Sequence, residues 1–281
     1  MKIILSRKGF DSQYGGYPSP ILPDGRLMSL PIPLTDSLKY SNLNFGNGLS
    51  YYQVMKRLNP KIKIQKNWIE ITEETQCHLD PDIDSKVIER MPGWKPLFGQ
   101  IDAAQGHLEN EGITRDDIFL FFGTFRKTIL LNDHYYFDLC EQPIHLIYAY
   151  FQIDEIERIT HNSKTPSWMN YHPHVNSDTR KSRNNTVYIA NEKLSFDSNL
   201  PGAGIFKYHQ NLILSKKEEC KSRWILPDFF KEVRITYHSS KSWKSGYFQS
   251  TSRGQEFVIN CNFEVGDWIQ SLITVNAAKP F

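Results

Sequence analysis

The chain has 281 residues, of which 40% are hydrophobic, 13% aromatic and 23% charged, with a net charge of +2. That is enough apolar material for a substantial core, and it excludes a collagen-like or natively disordered chain. Cys77, Cys140, Cys220 and Cys261 are widely spaced with no CxxC pair, which argues against a disulfide framework and a zinc ribbon.

Lys2 to Leu5 reads as a short buried strand. The loop from Gly9 to Pro20 follows, where Gly15 and Gly16 permit positive φ and Pro18 and Pro20 fix extended backbone. A loop of this kind after a first strand often holds a ligand, and it contains Asp11. Pro23-Asp-Gly-Arg26 signals a turn, and Leu27 to Leu34, with its two prolines, fits an edge strand or extended segment. Leu38 to Leu58 has mixed helical character. Ile118 to Phe122 and Ile144 to Ile153 are apolar runs that predict buried strands, with shorter strands at Val187 to Ala190 and Leu212 to Leu214.

Leu200-Pro-Gly-Ala-Gly-Ile205 reads as a flexible glycine loop, and Pro227-Asp-Phe-Phe-Lys231 as the start of a short helix. Val265, Trp268, Ile269, Leu272 and Ile273 recur at helical spacing, with Asp267 expected in the first turn. The pattern implies an α+β fold: one mixed-sheet domain over residues 1–281, with long functional loops and a C-terminal amphipathic helix. The first residues are too short an apolar run for a signal peptide, and no stretch approaches the roughly 18 apolar residues of a membrane span. Reduced thiols and a cytoplasmic location are expected.

Charge is unevenly placed. His161 to Arg253 holds 15 Lys and Arg against 7 Asp and Glu, while the remainder holds 18 against 24. The basic segment is interleaved with Trp168, Tyr171, Tyr208, Trp224, Tyr237, Trp243 and Tyr247. Basic plus aromatic is the composition of a nucleic-acid surface, and equally of a solvated face over an aromatic core.

Phe98-Gly-Gln-Ile-Asp-Ala-Ala-Gln-Gly-His-Leu108 sets Gln100, Asp102, Gln105 and His107 among apolar residues and glycines. Polar groups in such a setting are either hydrogen-bonded structure or a site. Asp102 with Gln105 also reads as a capping box. Buried carboxylates can activate water or stabilise charge on a sugar, and amides suit a base edge. His78, Asp80 and Asp82, and the pair His172 and His174, have alternating spacing that could chelate an ion, although Asp80-Pro-Asp82 is also a common turn sequence. No GxSxG, GxGxxG or Walker sequence is present, so no cofactor is implied. Arg253, Gln255 and Glu256 precede an apolar run, where Arg and Gln could clamp a phosphate or base.

Several of these pieces, in order, resemble the nucleotide modification associated domain family, class three, found in phages and bacteria. They are Leu5-Ser-Arg-Lys-Gly-Phe-Asp-Ser12, Gly15-Gly-Tyr-Pro-Ser-Pro20, His78-Leu-Asp-Pro-Asp82, Phe98-Gly-Gln100, Ala103-Ala-Gln-Gly-His-Leu108, Phe119 to Arg126, Pro201-Gly-Ala-Gly204 and Arg253-Gly-Gln-Glu-Phe257. The resemblance implies an association with modified nucleobases and phage–host conflict. Some proteins of this type look like DNA glycosylases that extrude and excise a modified base, such as glucosylated hydroxymethylcytosine. On that reading Asp102, Asp11 and His107 are the catalytic candidates. Gln100, Gln105, Arg7, Gly15, Gly16, Asp80, Arg253 and Gln255 bind the substrate, and modified phage DNA is the partner. The alternatives are an enzyme that adds or removes a nucleobase modification, metal-dependent through His78, Asp80 and Asp82, or a non-catalytic DNA-binding module.

Overall fold

In a computed structural model, which describes residues 1–251 and 254–277, strand β1 (Lys2–Arg7) is an inner strand of a mixed sheet. The other strands are β2 (Ser19–Ile21), β3 (Leu97–Ile101), β4 (Ile118–Leu131), β5 (His134–Phe137), β6 (Ile144–Arg158), β7 (Asn185–Ala190), β8 (Ala203–Ile205) and β9 (Glu256–Asn260). The main order is β3-β7-β6-β4-β1-β9, with β2 and β5 on β4 and β8 on β6. β1 and β4 are parallel, as are β2 and β4; the other pairings are antiparallel.

β4 and β6 are the apolar runs read from the sequence, but both extend further. β4 continues into a tight hairpin with β5, because Asn132 and Asp133 adopt φ of 50° and 60°, the left-handed pair that a two-residue hairpin turn requires. β6 serves two partners in succession. Ile144 to Gln152 pairs with β4, and past a register shift at Ile153/Glu155 the strand pairs with β7. The bulge re-aims the strand. β3 and β7 consequently fold over one face of the sheet, where Phe98 packs edge-on to Phe119 and Phe121, at 4.9 and 5.0 Å between ring centroids. The two ends of the strand order therefore approach each other.

The C-terminal helix, here αC (Phe263–Asn276), forms as its pattern predicts. Asn262 caps it by accepting from the Val265 amide, and Val265, Ile269, Leu272 and Ile273 are buried. Its first-turn acid is Glu264; Asp267 lies one turn further along than expected. A second apolar cluster gathers Phe10, Met28, Leu30 and Tyr40 around Val54 and Met55 of the helix Tyr51–Leu58.

Several local expectations are corrected. Of Leu38 to Leu58 only Tyr51–Leu58 is α-helical, and the earlier part is short strands and a 3-10 turn. Leu212 closes a 3-10 turn, and Ile213 makes a single bridge to Leu146 in place of a strand. The glycine loop is not free. Its end is β8, and a Cβ on Gly202 would lie 2.1 Å from the Asn191 carbonyl oxygen. These glycines permit close backbone approach. Among the described residues no helix is long and apolar enough to cross a membrane.

Candidate functional site

Asp80 is the centre of a buried polar cluster. A bridge from Asp82 to Leu97 sets the end of this segment against β3, and one from His78 to Ile32 ties its start to the extended segment before it. The amide of Gly99 in β3 donates to Asp80 Oδ1 at 2.7 Å. His174 comes from a one-turn helix, Pro173–Asn176, packed against β3, and His172 is the N-cap of that helix. Gly99 makes the packing possible, since a Cβ there would lie 2.3 Å from the His174 ring.

The hydrogen bonds fix which nitrogen of each ring carries the proton. The Asn185 amide donates to the His174 carbonyl at 2.7 Å, so its Oδ1 faces His174 Nδ1, also at 2.7 Å, and accepts that N–H. Asp36 Oδ2 lies 2.7 Å from His78 Nδ1 and holds its proton, while Arg180 pairs with the same carboxylate. In the neutral rings the Nε2 atoms of His78 and His174 present lone pairs, and each lies 3.9 Å from Asp80 Oδ2. His172 is the opposite tautomer. Its Nδ1 accepts from the His174 amide, so its Nε2 carries the proton, 3.4 Å from Asp80 Oδ1 and without a well-formed bond to any protein group. Burial drives the His174 pKa down to about 3, so this ring is neutral. Burial pushes the Asp80 carboxyl up, but its polar neighbours, the His172 N–H first, outweigh this and hold it below the usual carboxylate range.

Asp82, two residues on, does different work. It is fully buried and clamped by Arg90 at 2.6 and 2.5 Å, with the Tyr171 hydroxyl on the same carboxylate. Already neutralised by Arg90 and fully buried, it is not available to a further cation.

A second polar group meets the first through β3. Gln100, next to Gly99, donates to Glu256 Oε1 at 2.5 Å, and Lys8 Nζ reaches the same oxygen at 3.2 Å. Glu256 is 1% exposed, and its Oε2 has no protein partner. Glu256 lies opposite Ser6 in the β1–β9 register. The buried Tyr148 side chain lies near both groups, with Ser29 in hydrogen-bonding reach of its hydroxyl. Burial pushes the Tyr148 pKa up; the nearby Ser29 opposes this, and the charges of Asp80 and Glu256 add to it.

The residues singled out in the sequence fall into three sets. Asp80 and Gln100 belong to this centre, and Arg7 borders it. Arg7 donates to the Thr251 carbonyl and stacks near Phe122 and Phe257, and burial, partly opposed by Asp11 and Glu256, lowers its pKa. Asp102 and Gln105 begin the helix Asp102–Asn110 but form no capping box. Asp102 has φ of +54° and is ion-paired with Arg183, while Gln105 is buried between Tyr188 and Glu109. His107 bonds Thr236 at 3.1 Å and lies against Tyr237. Asp11, exposed, ties down its own loop by accepting from the Gln13 and Tyr14 amides. Gly15 and Gly16 adopt φ of 84° and 81°. They make room for Phe10 and Trp68, whose ring atoms a Cβ would meet at 1.9 and 2.5 Å. Gln255 is exposed and contributes its carbonyl to Arg7 N. Arg253 lies outside the described residues.

Glu256, Tyr148, Asp36 and Arg180 carried no strong signal in the sequence. Many cations of the basic segment are paired: Arg180 with Asp36, Arg183 with Asp102, Arg223 with Glu219 and Arg234 with Glu111. The stretch is therefore less positive in space than in composition.

The family model described as nucleotide modification associated domain 3 matches residues 2–260. The chain belongs to this family. The match begins within β1 and ends with β9, so it takes in every residue of the Asp80 and Glu256 groups. No curated protein and no solved structure matches the chain.

Proposed function

We propose that this family member is a DNA glycosylase that excises a modified nucleobase, with phage DNA as its substrate and antiviral defence as its setting. The observation that carries the reading is a buried carboxylate oxygen, Glu256 Oε2, that has no protein partner. Leaving such an atom unmatched costs about 1–3 kcal/mol or more, so it is better understood as waiting for a substrate. A duplex base reaches a buried centre only by being extruded.

Glu256 is the carboxylate proposed to act. Gln100 and Lys8 fix its Oε1 and leave Oε2 to face the reacting sugar. There it stabilises positive charge growing at the anomeric carbon and takes the proton of the attacking water, while the base departs with the bonding electrons. Asp102 is less suited to this task, because Arg183 neutralises it at a partly exposed helix start.

The test is incubation with DNA carrying glucosylated hydroxymethylcytosine and with unmodified DNA. Abasic sites and a released base from the modified DNA alone are expected, and Glu256→Gln should lower the rate at least about 100-fold. No abasic sites from either DNA would overturn the proposal.

A further inference from the structure

We infer that His78, Asp80 and His174 form a binding site for one divalent transition-metal ion of the zinc, iron, manganese or cobalt class. The inference goes beyond the glycosylase reading and does not depend on it. One ligand atom from each residue can be chosen so that all three lie within 4.8 Å of one another.

Two imidazole nitrogens face one carboxylate oxygen. His78 and His174 each have Nδ1 committed, to Asp36 and Asn185 respectively. Their Nε2 lone pairs converge on Asp80 Oδ2, each at 3.9 Å. That separation is too long for a hydrogen bond, and lone pairs aimed at an anionic oxygen repel. A cation among the three atoms turns that repulsion into coordination. With ligand bonds of about 2.1 Å, neighbouring donors stand roughly 3.0–3.4 Å apart, so each imidazole needs to close on Asp80 Oδ2 by less than about an ångström.

The surrounding contacts have the form of an outer shell. Asp36 holds the far nitrogen of His78 in a carboxylate–histidine relay, Asn185 does so for His174, and Arg180 anchors Asp36. Such partners orient ligands and set their tautomer. The two oxygens of Asp80 have different roles: Oδ1 takes the Gly99 amide and faces the protonated nitrogen of His172, while Oδ2 faces the two bare nitrogens. Two imidazoles and one carboxylate favour a transition ion over magnesium or calcium, and three protein ligands leave positions open for water or substrate. The sequence pairing of His78 with Asp82 is replaced here, because Asp82 is consumed by Arg90 and Tyr171.

The experiment is metal binding by the full-length chain without DNA. Chelator-stripped protein is titrated with Zn(II) by calorimetry and with Co(II) by visible absorption. One equivalent with a ligand-field spectrum is expected. His78→Ala and His174→Ala should each weaken binding at least about 100-fold, and Asp36→Asn, which leaves all three ligands in place, about 10–100-fold. Far-UV circular dichroism identifies any variant that has unfolded, and Asp36→Asn serves if a ligand variant does. Folded wild-type protein that binds no ion, or binding unchanged in the folded variants, overturns the inference. DNA excision is not part of the readout, so its failure leaves this site standing and the reverse holds too.

Discussion

Gln100 and Glu256 are 156 positions apart in the chain and share a 2.5 Å hydrogen bond. They occupy β3 and β9, the two ends of the main strand order. The bond therefore closes the fold across one face and fixes a carboxylate beside Tyr148. Removing the amide should loosen both. Gln100→Leu is expected to cost about 1.5–3 kcal/mol, the range for a hydrogen bond to a buried charged group. Urea unfolding followed by tryptophan fluorescence measures it, and a loss under about 0.5 kcal/mol, the scatter of neutral surface changes, would show that Glu256 is held by Lys8 alone.

The Asp82–Arg90 pair predicts a larger effect. Arg90→Met leaves a fully buried carboxylate without its cation. Breaking a pair of this kind costs about 3–5 kcal/mol. Adding Asp82→Asn to Arg90→Met should recover part of the loss, because the uncompensated charge is gone. Thermal melts of the two single variants and the double variant decide this, and strictly additive losses would contradict it.

Gly99→Ala tests the close approach of β3 to His174. The added methyl has no room beside the ring, so overpacking should destabilise the fold by about 1–3 kcal/mol. A melting temperature equal to that of the wild type would mean that the one-turn helix can move away freely.

His145 predicts acid sensitivity. Burial lowers its pKa to about 3, and its Nδ1 accepts the Trp224 indole N–H at 3.0 Å. The unfolded chain binds this proton below pH about 6.5 and the folded chain does not until pH about 3. Stability from this group is therefore full above pH about 6.5 and falls as pH drops through that window. Between pH 7 and pH 5 the loss is about 2 kcal/mol for this residue. His145→Gln keeps an acceptor for Trp224 but cannot titrate, so the difference between wild type and variant should shrink or reverse at pH 5. A difference constant with pH would show that His145 titrates normally in the folded chain.

The strand cores were legible because β4 and β6 are long enough to show as apolar runs. The bend in β6 was not, since nothing local distinguishes a strand that changes partner at Ile153 from one that ends there. Asp80 and Gln100 stood out as polar residues among apolar ones and lie in the centre. Glu256 belongs to a recognised segment, in which Arg253 and Gln255 carry the binding expectation. Strand alternation decides otherwise: Glu256 points to the face shared with Ser6 and Phe257 to the opposite one. His172 and His174 read as a strand pair and sit at the start of a one-turn helix, although both still address Asp80. A capping box does form, at Ser50 and Gln53 and not at Asp102 and Gln105. Asp36 and Arg180 are joined only by the tertiary fold, 144 positions apart, so no local pattern could have announced them.

The most direct test of the account is base excision by the Glu256→Gln protein beside the wild type, on DNA bearing glucosylated hydroxymethylcytosine. The account predicts alkali-labile abasic sites with wild type only, and a correctly folded variant reduced by at least about 100-fold. Full activity in Glu256→Gln, with loss of activity in Asp102→Asn, would contradict it and move the reaction to the helix start at Asp102.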